Sequence, residues 1–135
     1  YCYNSNLVKP ELFNKPIPEK DILYFLKNRK GKLDAVEFTG GEPTIQKDLI
    51  PFMEKIKRMG FLIKLDSNGT NPEIIKEAIE KKLVDYLAMD IKAPIGAKTQ
   101  NSKLKTQNNS SKLKISKYDK ATGVKVNLEK IKKSV

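Results

Sequence analysis

Three short polar runs hold the residues best suited to chemistry: Thr39-Gly40-Gly41-Glu42-Pro43-Thr44, Asp66-Ser67-Asn68-Gly69-Thr70 and Asp90-Ile91-Lys92-Ala93-Pro94. Each has a plain structural reading when taken alone. Paired glycines before Glu-Pro make a strand-to-helix turn, where Gly supplies φ > 0 and Glu favours a helix N-terminus. Asn-Gly is a turn pair. Asp-x-Lys at a strand end is an exposed ion pair worth under about 1 kcal/mol. Gathered on one rim, however, they offer exposed backbone, carboxylates, hydroxyls, an amide and an ammonium. That set suits a zwitterionic, ribose-bearing ligand, with acceptors for an ammonium, a Lys for a carboxylate and an amide for ribose hydroxyls. Other chemistries are closed to the chain. It has no His, which excludes Ser-His-Asp and Cys-His catalysis and imidazole-bound zinc within it. Its single Cys excludes an internal disulfide framework and a Cys-only metal cage built from this chain alone.

The elements around these runs alternate between helix and strand. Pro18 to Gly31 carries apolar residues at helical spacing, with Pro near the start and Gly past the end. Ala35 to Thr39 reads as a short strand. A helix from about Asp48 to Met59 tolerates Pro51 in its first turn and stops at Gly60. Phe61 to Leu65 is strand-like. Asn71 offers an N-cap and Pro72 a first helical residue for a helix to about Lys82. Val84 to Ile91 reads as a third strand, apolar enough to be buried, and Asn127 caps one more helix. Strands separated by helices of this length predict parallel βαβ units, an α/β fold with its site at the strands' carboxyl edge. Three strands are too few for a closed barrel. The chain opens on Tyr1 rather than Met and ends within an amphipathic pattern, Leu128 to Val135, so the expectation is an internal piece of a longer protein.

The 135 residues carry a net charge of +11, distributed unevenly. From Ile95 to Val135 eleven lysines face two acids, a balance of +9, whereas the first 94 residues balance to +2. The excess sits mostly in Lys98 to Lys120, rich in Lys, Ser, Asn, Gln and Thr, with Tyr118 its only aromatic and one near-duplication, Lys98–Leu104 and Lys105–Leu113. This composition predicts a solvated, disordered insert spanning 95–120. A nucleic-acid-binding domain would instead carry its basic patch on the folded body. No apolar run approaches the roughly 18 residues of a membrane span and no signal-peptide pattern is present, so the expectation is a soluble, cytoplasmic protein with no membrane partner.

The runs resemble the motifs of radical S-adenosylmethionine (radical SAM) enzymes. Tyr1-Cys2-Tyr3-Asn4 looks like the tail of the Cys-x3-Cys-x-aromatic-Cys motif, and Gly40-Gly41-Glu42-Pro43 like the downstream glycine motif. Asp66-Ser67-Asn68-Gly69 and Asp90-Ile91-Lys92 continue the match in order. Within the superfamily, Val84 to Pro94 and Tyr118 to Lys133 are most similar to the activating protein of anaerobic (class III) ribonucleoside-triphosphate reductase. The resemblance covers 1–94 and resumes at about Tyr118; the insert departs from it.

The resemblance implies a partial (β/α)6 radical SAM barrel, with residues 1–94 a fragment of its core and 121–135 the start of its next helix. It makes Cys2 the third thiolate ligand of a 4Fe–4S cluster and lays Tyr1 against the adenine. The backbone of Gly40 and Gly41, with Glu42, would hold the methionine ammonium. Ser67 and Asn68 would lie near the ribose and carboxylate, and Asp90 and Lys92 would close the site, Lys92 on the carboxylate. Residues matching Asp66, Ser67, Ala88 and Asp90 surround a monovalent cation in such activators. The implied activity is reductive cleavage of S-adenosylmethionine, giving a 5′-deoxyadenosyl radical that takes hydrogen from the Cα of one partner glycine. The implied partners are a glycyl-radical enzyme, foremost the anaerobic reductase, and a flavodoxin- or ferredoxin-type electron donor. One departure matters. The cluster needs three thiolates and the chain has one, so the expectation places the first strand and two cysteines before Tyr1 and the last strands beyond Val135, and leaves the piece inactive alone. Two further readings stay open: another radical SAM enzyme, either a different glycyl-radical activase or a nucleoside- or peptide-modifying member, and a non-enzymatic remnant with a basic tail.

Overall fold

A computed structural model describes residues 9–92 and 127–134. Tyr1, Cys2, Ala93, Pro94 and the basic insert lie outside the described residues. Three α/β repeats follow a short 3-10 turn at Pro10–Leu12. The elements are α1 (Glu19–Lys27), β1 (Ala35–Phe38), α2 (Leu49–Arg58), β2 (Leu62–Ser67), α3 (Pro72–Glu80), β3 (Tyr86–Met89) and α4 (Leu128–Ser134). The helices begin and end for readable reasons. Glu19 and Asp21 in the first turn of α1, and Lys55, Lys57 and Arg58 in the last turn of α2, complement the helix dipole. The first helix stops at Lys27, a turn short of the Gly31 boundary read from the sequence; past its end the Arg29 N–H donates to Leu26 O and tightens the chain.

The strands are parallel and lie in sequence order, β1-β2-β3, as the alternation predicts. Leu65 at the middle of β2 aligns with Phe38 on one side and Leu87 on the other. Along β2 burial alternates with the pleat: Ile63, Leu65 and Ser67 are buried, while Lys64 and Asp66 are half-exposed. The buried side is the helix-covered side. Ile63 joins Leu26 of α1, Leu49, Ile50, Met53 and Ile56 of α2, and Ala78 of α3 in one apolar cluster. The opposite face carries a charged row in which Lys64 pairs with both Glu37 and Asp66. Those two carboxylates hold the Lys64 ammonium above its ordinary range, the Glu37 hydrogen bond contributing most.

All three strands differ from their sequence reading, the first only in ending at Phe38 and not Thr39. The second begins at Leu62 and continues through Asp66 and Ser67, which align with Ala88 and Met89, so both residues belong to the strand and not to the loop after it. The third is shorter than Val84–Ile91 and is not buried: Tyr86 is 63% exposed and the other three residues are half-buried. Among the described residues β3 has a neighbour on one edge only, and apolar content cannot report a missing neighbour.

Asp85, just before β3, extends the pairing with its side chain. Its N–H donates to Ile63 O at 2.9 Å, and its carboxylate accepts from Ile63 N at 2.7 Å and from Lys57 Nζ at 2.7 and 2.9 Å. Lys57 chiefly, with the Ile63 N–H, holds this carboxyl below its ordinary range against the opposing effect of burial. A lowered folded value means that Asp85 stabilises the fold above the ordinary aspartate range and loses that contribution as pH falls through the folded value. Asp85→Asn is therefore expected to be less stable than wild type by up to about 1 kcal/mol at neutral pH, the pair being partly solvated. The difference should shrink only as pH falls below the ordinary aspartate range and through the lowered folded value, where wild-type Asp85 also becomes neutral. Urea melts at several pH values would read it, and a pH-independent difference would rule the account out.

Candidate functional site

The carboxyl ends of all three strands open into one cavity of about 310 Å³. Its lining is Thr39, Gly40, Gly41 and Glu42 after β1, Asp66, Ser67 and Asn68 at the end of β2, and Ala88, Met89 and Asp90 at the end of β3. The three polar runs thus meet on one rim, as their placement predicts. Lys92 does not line this cavity; its ammonium pairs with Asp90, with the two side chains 42% and 55% exposed.

The turn after β1 depends on Gly40. Its φ of +127° is one that side-chain-bearing residues rarely adopt, while a Cβ there would meet nothing within 4 Å, so backbone conformation and not crowding requires the glycine. At Gly69 (φ +76°) backbone conformation again requires the glycine, and a Cβ there would also displace the Met89 side chain, whose Sδ would lie 2.9 Å away. The Gly69 carbonyl also accepts from Ser134 Oγ of α4 at 2.9 Å, which ties the last described helix to the loop after β2.

Glu42 is the centre of the polar network. It is the N-cap of a 3-10 turn at Pro43–Ile45, and its Oε1 accepts from Thr44 N at 3.2 Å and from Thr44 Oγ1. The same oxygen accepts from Ser67 Oγ at 2.8 Å, and Oε2 accepts from Asn68 N at 2.7 Å. The carboxylate therefore bridges the β1 loop to the end of β2, a role that local sequence does not announce. Thr44 and Ser67 are buried polar residues, 4% and 3% exposed, which are stable there because their hydroxyls are bonded. Asn71 differs from its expected role. It occupies the N-cap position of α3, but its side chain makes no capping bond and instead donates from Nδ2 to Thr44 Oγ1 at 3.0 Å.

Asp66 points to the sheet face opposite Ser67. Its Oδ1 is 3.2 Å from Lys64 Nζ, outside hydrogen-bond geometry, and is otherwise buried without a donor among the described residues. An acceptor left in this state, beside backbone exposed at Gly40 and Gly41, fits a ligand that brings its own positive charge. The donor set suits S-adenosylmethionine on that ground. It does not by itself suit a metal cluster: among the described residues no group of three or more His, Cys, Asp or Glu could hold a metal ion. Cys2, Tyr1 and their expected roles lie outside the described residues.

Parallel strands in sequence order, helices on one face and a polar cleft at the carboxyl ends define a segment of a (β/α) barrel, a fold that places its sites at the strand tops. The model of the Radical SAM superfamily matches residues 1–133, and the chain belongs to that superfamily. A Methanocaldococcus jannaschii protein named as a glycyl-radical enzyme activating enzyme is 42% identical over 101 residues, 68% of this chain and 37% of the relative. A 7-carboxy-7-deazaguanine synthase of Thermococcus kodakarensis is 38% identical over 74 residues, 54% of the chain and 28% of the relative. A Pyrococcus horikoshii protein named as a GTP 3′,8-cyclase is 29% identical over 91 residues, 67% of the chain and 29% of the relative. The chain thus spans less than two-fifths of the length of each of these relatives. No solved structure matches it significantly. Among the described residues no helix is long and apolar enough to cross a membrane.

Proposed function

We propose that the chain forms the S-adenosylmethionine-binding part of an enzyme that activates a glycyl-radical protein, with anaerobic ribonucleoside-triphosphate reductase as the partner. The observation that carries this reading is the shared cleft of Gly40, Gly41, Glu42, Ser67, Asn68 and Asp90, in a chain that is 42% identical to a protein named as such an activator. Backbone at Gly40 and Gly41 meets the methionine ammonium, with charge supplied by Glu42. Ser67 and Asn68 lie toward ribose and carboxylate, and Asp90 with Lys92 closes the cleft. Tyr1 stacks on the adenine, and Cys2 gives one thiolate to a 4Fe–4S cluster whose other ligands are further cysteines of the whole protein. Asp66 takes a monovalent cation on Oδ1, which makes no hydrogen bond among the described residues. With that cluster, bound S-adenosylmethionine supplies one-electron cleavage of its sulfonium, the electron coming from a flavodoxin- or ferredoxin-type donor. The chain's own residues bind and orient the ligand and keep it at the strand tops.

Incubating the full-length protein anaerobically with reductant, S-adenosylmethionine and the reductase tests this. The expected result is 5′-deoxyadenosine together with a glycyl-radical doublet in the electron paramagnetic resonance spectrum of the partner. The similarity to a 7-carboxy-7-deazaguanine synthase and to a protein named as a GTP 3′,8-cyclase favours a second reading, a nucleoside- or nucleotide-derived substrate. 5′-Deoxyadenosine formed without a glycyl radical, and increased by GTP or another purine compound, would replace the first reading with the second.

A further inference from the structure

We infer that Thr44 and Asn71, neither of which lines the cleft, are positioning residues: a directional hydrogen-bond relay from the head of α3 aims the Thr44 hydroxyl at Glu42 and fixes the carboxylate that shapes the S-adenosylmethionine site. The inference rests on the proposed reading of that cleft.

The direction of the relay follows from what each group can offer. An amide nitrogen has only hydrogens, so in the 3.0 Å contact between Asn71 Nδ2 and Thr44 Oγ1 the threonine oxygen accepts. Its own hydrogen is then directed to Glu42 Oε1. Ser67 repeats the arrangement from the other side: its Oγ accepts from Gly69 N at 3.1 Å and donates to the same Glu42 oxygen at 2.8 Å. Two hydroxyls, each polarised by an upstream donor, converge on Oε1, and hydrogen bonds linked in this way strengthen one another away from water. Oε1 is thereby filled, and Oε2, which accepts from Asn68 N, keeps the acceptor capacity of the carboxylate. The unused cap of α3 is the second observation. An N-cap Asn ordinarily turns its oxygen onto the helix amides. Here the side chain reaches across 27 positions of sequence to Thr44, so capping is not its task.

Asn71→Asp separates the relay from the helix. Aspartate keeps the shape, is as good an N-cap and adds a charge favoured at a helix N-terminus. It presents only acceptors to Thr44, however, and turns the hydroxyl hydrogen away from Glu42. In the full-length protein, calorimetric titration with S-adenosylmethionine should show Kd raised about tenfold, about 1.4 kcal/mol, with the thermal midpoint unchanged or higher. Thr44→Val should lose affinity similarly, and Thr44→Ser, which keeps the hydroxyl, should restore it. Wild-type affinity in both Asn71→Asp and Thr44→Val would overturn the relay. So would affinity losses matched in both by a fall in thermal midpoint, which would assign the pair to the fold alone. A wild-type protein that does not bind S-adenosylmethionine would instead overturn the reading of the cleft, and the relay with it.

Discussion

Leu65→Ala is expected to destabilise the protein by about 2–5 kcal/mol, read as a lower urea midpoint at unchanged slope. Leu65 is fully buried at the centre of the middle strand, in register with Phe38 and Leu87. Truncation removes its transfer free energy and leaves a cavity that the flanking strands cannot close, because both are pinned by ladder hydrogen bonds. The loss is a large fraction of the roughly 5–15 kcal/mol by which native domains are stable. Leu65→Met, which nearly conserves volume, should cost under about 1.5 kcal/mol. The effect should also reach the site, because Ser67 lies two residues on along the same face of β2 and holds Glu42. A cost below about 1 kcal/mol for Leu65→Ala would mean that the helix layer relaxes onto the sheet, against the close packing inferred for it.

The order of elements, the parallel pairing and the meeting of the three polar runs were legible because local signals set them. Helical spacing, the Gly and Pro boundaries and the alternation of helix with strand are all written within a few residues of each other. What was not legible is what depends on distant partners. The exposure of β3 reflects a single neighbouring strand, which Tyr86-Leu87-Ala88-Met89 cannot announce. The extension of β2 through Asp66 and Ser67 is set by pairing with Ala88 and Met89, more than twenty positions away. Asn71 read as an N-cap and occupies that position, but its side chain was claimed by Thr44, 27 positions away. Asp85 read as part of a strand, and its carboxylate instead serves as a ladder partner of Ile63. Glu42 shows the same limit at the site. Its place in a Gly-Gly-Glu-Pro run marked it as a ligand-facing carboxylate, and only the fold brings Ser67 and Asn68 to it. By sequence Ser67 reads as part of the loop after the strand, so its burial, and the partner a buried hydroxyl needs, become visible only in the fold.

Glu42→Ala is expected to cost about 2–4 kcal/mol of stability and to weaken S-adenosylmethionine binding by more than tenfold, because it removes the acceptor shared by four donors at once. Two of those donors, Thr44 N and Asn68 N, are backbone groups that cannot turn elsewhere. The other two are hydroxyls of buried residues whose acceptor sides are already engaged by Asn71 and Gly69. Glu42→Gln separates geometry from charge. The amide keeps one oxygen and offers hydrogens in place of the other, so it can serve the Oε1 donors or Asn68 N but not both. It should therefore fall between wild type and alanine in urea midpoint. Thermal and urea unfolding of the three proteins, followed by titration with the ligand, would read both effects. Wild-type stability and affinity in Glu42→Gln would show that an amide satisfies the network and that the carboxylate's charge is not what joins the β1 loop to the end of β2. An intermediate result would place the junction of the two loops, and the shape of the cleft between them, on that one carboxylate.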